Sequence, residues 1–334
     1  MREKILDLLS GKKIDSQPVF SGLIHITAEG LEREGLIFHE THKDAEKMAK
    51  AAASTFKLTG MPSATLPLDL CAPAEALGSE LIFYEGDEYQ FPQVKKLLFE
   101  STSQMAGLLP AGGDAGARQR GRIPLICKAI ELVKNDIGKE AVISGLIPGP
   151  YTLLIYVCKV QNLFREMKKE PAIVANALLY LADFLADIGN AYLEAGADFI
   201  TVHEMGGSPG FIGPAKFEEF VLAPLKALNG KLNGPKVLSV CGNTNSSMQV
   251  LAQCGANAIS VDQLNDLAAS RAALKDVLLF GNIDPVETLS RGWDAQVTES
   301  VVGAKEAGVD AVWPGCDLVI QTPIKNIKLM TGSQ

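Results

Sequence analysis

Two cysteines stand where they could share a metal ion. Cys241 closes the run KVLSVCG and Cys316 closes DAVWPGC, each beside a glycine that lets backbone or ligand come close. Zinc takes thiolate, imidazole and carboxylate ligands and keeps one position open when it is catalytic. The remaining cysteines, Cys71, Cys127, Cys158 and Cys254, fall in helical or flanking contexts without a CxxC. They read as small buried apolar residues, and six scattered thiols do not make a disulfide framework in so long a chain.

Other polar residues end apolar runs in the same way: His25, Asp69, His203 with Glu204, Asp262, and Asn282 with Asp284. His203 and Glu204 are neighbours on one strand, so they point to opposite faces and only one reaches the centre of a shared rim. Glu204, just before MGGSPG, is the expected one, because a carboxylate is otherwise a poor strand residue. His25, Asp69, Asp262 and Asn282 are expected to face substrate, as is Tyr151, which follows PGP.

These residues need elements to bring them together. Eight short apolar runs have strand character: 17–25, 63–69, 141–146, 197–204, 236–242, 256–262, 277–284 and 310–316. Amphipathic stretches such as KDAEKMAKAAASTFKLTG and PAIVANALLYLADFLADIGNAYLEAGA lie between them. Near-continuous apolar strands alternating with helices indicate a parallel sheet covered by helices. Eight such units predict a closed (β/α)8 TIM barrel, an α/β fold formed by residues 1–334 as a single domain. Its active site would lie at the carboxyl ends of the strands. An amphipathic N-terminal helix carrying Ile5, Leu8 and Leu9 forms an extension, and residues 70–122 break the rhythm as a long excursion over the barrel mouth. In the segment entered at Pro214, Phe217, Phe220, Val221, Leu225 and Leu228 form a packing stripe that leaves Glu218 and Glu219 solvated. Thr322-Pro323 would cap the last helix.

Composition narrows the function. A formal net charge of -8 with no basic cluster argues against nucleic acid. No apolar run approaches the roughly 20 uncharged residues of a membrane span, and the N-terminus lacks the core of a secretory signal. A cytoplasmic enzyme is expected.

KVLSVCGNTN followed by DAVWPGCDLVIQTPIKNIKLM resembles the signature segments of the uroporphyrinogen decarboxylase superfamily. The likeness is strongest to its branch of methylcobamide:coenzyme M methyltransferases and methyltransferase components of corrinoid-dependent demethylation. GRIPLICKAIELVKNDIG, PGPYTL and EAGADFITVHEMGGSPGFIGPAKFEEF fall in the matching order. The resemblance implies a (β/α)8 barrel and methyl transfer between a small substrate and the cobalt of a cobamide carried by a partner corrinoid protein. It also implies zinc held through a His-x-Cys segment and a later Cys. Cys241 and Cys316 match, while Ser239 stands at the histidine position and is read as lining the substrate site.

The ligand set expected from the resemblance is therefore Glu204, Cys241 and Cys316, with His203 or water fourth. Glu204 and Glu219 have the separation of a glutamate pair seen in demethylase members, which favours a methoxylated or similar methylated substrate. A thiol acceptor of the coenzyme M type is the alternative. Porphyrinogen decarboxylation, which would need arginines at the mouth, and a non-catalytic ligand-binding barrel are the remaining readings.

Overall fold

The computed structural model describes residues 1–86, 88–106 and 116–333. Helix Ala45–Thr59 shows how local chemistry sets the elements. The Asp44 side chain accepts from the Lys47 N–H at its start, and Gly60 ends it at φ 72°, a left-handed conformation that glycine adopts without steric cost.

Seven strands form one parallel sheet: β1 (Ser63–Leu66), β4 (Val142–Pro148), β5 (Phe199–Glu204), β6 (Lys236–Val240), β7 (Ala258–Val261), β8 (Leu278–Ile283) and β9 (Ala311–Pro314), paired in that order. The short β2 (Leu81–Ile82) and β3 (Gln93–Val94) pair separately and antiparallel. The eighth expected barrel strand, 17–25, is not regular. It makes one parallel bridge, Val19 to Val312, while the Val312 N–H donates to Pro18 O at 2.9 Å. On its other side Ser21 N donates to the Ser63 side chain rather than to backbone. Pro18 has no N–H to give, and a side chain at Gly22 would collide with Thr201 and Trp313. The segment still fills the gap between β9 and β1 and completes the (β/α)8 TIM barrel.

Alternation along the strands separates two apolar layers. Phe199, Val237, Ala258, Phe280, Ala311 and Trp313 point inward and meet Ile5, Leu8 and Leu9 of the N-terminal helix Arg2–Leu9, which plugs the barrel floor. Ile200, Leu238, Ile259, Leu279 and Val312 point outward under the helices. Above the floor the inner positions turn polar: the Ser144 and Thr201 hydroxyls lie 2.8 Å apart, and Ser239 and Ser260 are buried register partners. The apolar floor fills this end of the barrel, and the polar inner positions lie toward the carboxyl ends of the strands.

Helix Pro171–Glu194 is long and apolar enough to cross a membrane by length and composition. In the fold it buries Val174, Leu178, Leu181 and Leu185 and packs on β4 and helix Leu222–Lys231, as a covering helix of a barrel does.

The excursion begins with helix Ala72–Leu77, continues through the β2/β3 hairpin and helix Thr102–Ala106, and returns at Ala117–Gln119. The part of its Gly-rich run at 107–115 lies outside the described residues. Its two ends are tied together. Arg122 donates to both oxygens of Asp69 at 2.8 and 3.0 Å, to Glu75 at 2.8 Å and to the His42 carbonyl at 3.1 Å. Burial opposes ionisation of Asp69, yet Arg122 and His42 hold its carboxyl well below the usual carboxylate range. Asp69, expected to face substrate, also acts as a structural anchor.

Candidate metal centre

β5 delivers His203 and Glu204, and β6 runs directly into Cys241. β9 ends two residues before Cys316. In the β5–β6 register His203 pairs with Ser239, so both belong to the inward-facing set. The small side chain at 239 leaves room for the imidazole from the neighbouring strand. His203 Nε2 lies 3.1 Å from Cys241 Sγ, and the two sulfurs are 3.8 Å apart and unbonded. The ligand atoms of His203, Cys241 and Cys316 all lie within 4.8 Å of one another.

That geometry fits zinc. Two thiolates on a tetrahedral ion with metal–sulfur bonds of about 2.3 Å stand about 3.8 Å apart. His203 is fully buried, and its Nδ1 has no hydrogen-bond partner. The nearest acid to that nitrogen is Asp317, 4.0 Å away, placed as the carboxylate that commonly orients a metal-bound imidazole. Asp317 also accepts from the Ile24 N–H, which fixes the carboxylate on the barrel-closing segment. Three protein donors leave a fourth position for a reacting group.

The electrostatics point the same way. The Cys241 S–H and His203 hold Cys316 low, at about 4, against burial. Cys241 is pushed up by the charge on Cys316 and by burial. A divalent cation would let both sulfurs ionise.

Glu204, the expected ligand, is not at the cluster. Its buried carboxylate turns to the opposite face and accepts from Tyr151 N at 3.1 Å, Thr152 N at 3.0 Å, Thr152 Oγ1 at 2.5 Å and Gly207 N at 3.0 Å. Two of those donors open helix Pro150–Val157, where a carboxylate satisfies amides that the helix leaves unpaired. Gly149 makes room for it, since a side chain there would collide with the carboxylate. Glu219 is exposed in the Phe217–Val221 turn, so the glutamate pair is not assembled. Glu204→Ala should therefore destabilise the fold by about 2–4 kcal/mol, the cost of stranding several buried donors. It should leave the zinc content of the folded protein unchanged. Denaturant titration together with metal analysis reads both.

The other expected substrate contacts are also engaged elsewhere. His25 is buried with Nδ1 2.7 Å from Leu23 O and Nε2 3.0 Å from Ser63 O. Tyr151 donates its hydroxyl to Met167 Sδ and is closed off from the mouth. Asp262 accepts from Gly242 N and Leu264 N, holding the turn after Cys241. Asn282 donates to the carbonyls of Asp262 and Asn265. Asp284 caps the following turn through Val286 N and Glu287 N. Thr322 makes no cap hydrogen bond to the last helix.

Of the expected substrate contacts, Asp69 borders the open space beside the cluster, while most of the other residues there were not singled out by sequence. A cavity of about 170 Å³ beside the cluster is lined by Ile24, Leu70, Phe91, Tyr156, Met205 and Asp317, together with Asp69 and Cys71. Asp317 directly follows Cys316, a signal hidden by reading the strand end as finished at the thiol.

A closed parallel barrel carries two sulfurs and one imidazole together at its carboxyl-end rim, a donor set that could hold a metal ion. The uroporphyrinogen decarboxylase (URO-D) family matches residues 1–333, and the chain belongs to that family. It is 29% identical to the methylcobamide:CoM methyltransferase MtaA of Methanosarcina barkeri, over 100% of this chain and 97% of that protein. It is 30% identical to MtbA of Methanosarcina acetivorans, also a methylcobamide:CoM methyltransferase, over 98% and 96%. A solved methyltransferase structure from Methanosarcina mazei superposes with a TM-score of 0.92 at 27% identity, covering 99% of this chain and 97% of that one. These relatives fall in the branch that the sequence resembles.

Proposed function

We propose that the chain is a zinc-dependent methyltransferase that moves a methyl group from the cobalt of a cobamide, presented by a corrinoid protein, to a small thiol. The observation that carries this reading is the convergence of His203, Cys241 and Cys316, with two unbonded sulfurs 3.8 Å apart. Zinc bound there would act as a Lewis acid that keeps an incoming thiol ionised at neutral pH, where a free thiol near pKa 8.5 is mostly protonated. The three side chains hold that ion at the rim, and Asp317 faces the outer nitrogen of His203. The thiol proton leaves to solvent. The thiolate sulfur then forms a bond to the methyl carbon as the cobalt–carbon bond breaks, and the electron pair stays on cobalt as Co(I).

A thiol acceptor is preferred to a methoxylated substrate because the Glu204/Glu219 pair is not formed. Porphyrinogen decarboxylation is disfavoured by the mouth: among the described residues no arginine lines the cavity, and nearby Arg122 is spent on Asp69 and Glu75. The methyltransferase relatives speak against a purely binding role. A cytoplasmic setting, which keeps thiols reduced, suits six unpaired cysteines.

The test is turnover. Purified anaerobically with zinc, the protein should convert free methylcobalamin and a small thiol to cob(I)alamin and a methyl thioether, followed by the cobalamin spectrum. Methyl transfer from a methoxyaromatic to cob(I)alamin, with no reaction toward thiols, would overturn the reading.

A further inference from the structure

The cavity beside the cluster carries information about the tail of the acceptor. Its walls are apolar and aromatic: Ile24, Leu70, Phe91, Tyr156 and Met205. The charged groups that line it are both acids, Asp69 and Asp317, and among the described residues no lysine or arginine does.

Asp69 is fully occupied by Arg122, His42 and the Cys71 N–H. Arg122 in turn faces two carboxylates, Asp69 and Glu75, so this cluster contributes no surplus positive charge. The Cys71 S–H is directed to the Pro92 carbonyl and is not free to donate. Asp317 accepts one backbone N–H and, among the described residues, has no cationic side chain in contact except, at 4.0 Å, the imidazole of His203. A divalent ion at the cluster does not reverse the balance, because two thiolates cancel its charge.

An anionic tail entering this space would lose its water, meet no counter-charge and approach Asp317, the arrangement in which a buried charge costs most. A hydroxyl avoids that cost. An ammonium gains Asp317 and lies among the aromatic residues Phe91 and Tyr156, a ring type whose faces attract cations.

Building on the methyl-transfer reading, we infer that the cavity formed by Phe91, Tyr156, Met205 and Asp317 selects an acceptor thiol with a neutral or cationic tail and discriminates against an anionic one. Relatives named for coenzyme M act on a thiol whose tail is a sulfonate. This chain would have kept the reaction and changed the acceptor.

Three two-carbon thiols of nearly equal size decide the matter: 2-aminoethanethiol, 2-mercaptoethanol and 2-mercaptoethanesulfonate, each with methylcobalamin and the zinc-loaded protein. The amine and the alcohol should exceed the sulfonate by about tenfold or more in kcat/KM. Asp317→Asn should shrink the amine-to-sulfonate ratio several-fold, a comparison in which the intrinsic reactivity of each thiol cancels. Met205→Lys, which puts a cation into the cavity and leaves Asp317 beside His203, should raise use of the sulfonate. A wild-type preference for the sulfonate, or a ratio that neither substitution moves, overturns the inference. If none of the thiols is methylated, the methyl-transfer reading fails by itself. Calorimetric binding of the three corresponding S-methyl thioethers then still decides the tail preference, and equal or tighter binding of the sulfonate rejects it.

Discussion

Cys316→Ala should lose its zinc and lower methyl transfer to a thiol by about a thousandfold or more, the scale of removing one preorganised electrostatic stabiliser from a dry site. The effect should be on turnover rather than folding. Cys316 is a partly exposed rim residue one position beyond Gly315, outside the strand Ala311–Pro314, and the apolar floor that stabilises the barrel lies at its other end. A thermal unfolding midpoint near that of the zinc-free wild type, with metal at background and turnover abolished, is the expected combination. Retention of zinc and wild-type turnover would remove Cys316 from the site.

The second large effect concerns the imidazole. His203→Ala should weaken zinc binding by more than the roughly 10–100-fold that loss of an outer partner costs. A compensating change is available because His203 and Ser239 are register partners on adjacent strands, which run about 4.8 Å apart. The double variant His203→Ala/Ser239→His should therefore recover zinc binding, using the position where the resembling branch keeps its histidine. Ser239→His alone, with His203 still in place, should instead overpack the rim at a cost of about 1–3 kcal/mol. Competition titrations against a chromophoric chelator read the affinities. Failure of the double variant to bind zinc any better than His203→Ala would show that the two positions do not share one ligand site.

The barrel and its two thiols could be read from the chain because strands buried on both faces need near-continuous apolar runs. Those runs mark their own carboxyl ends, as at Val240-Cys241. The facing of β5 could not be read in the same way. Alternation shows that His203 and Glu204 diverge, but which one turns inward depends on the pairing of Thr201 with Val237 and His203 with Ser239, a long-range register. The carboxylate looked misplaced in a strand only because its partners, the amides of Tyr151 and Thr152 and the Thr152 hydroxyl, lie some fifty residues earlier. The expected strand 17–25 is reduced to one bridge, in a segment where Pro18 has no N–H to pair. The strand-end acids and amides read as substrate contacts, Asp69, Asp262 and Asn282, hold loops in place. A residue type at a strand end does not distinguish a side chain facing the cavity from one satisfying the backbone of the next turn.

X-ray absorption at the zinc edge, on untagged protein purified without oxygen, tests the metal centre most directly. One zinc per chain is expected, with two sulfur neighbours at about 2.3 Å, one imidazole nitrogen at about 2.0–2.1 Å and one further light atom in the open position. Absence of zinc, or a shell of oxygen and nitrogen without the sulfur pair, would contradict this expectation.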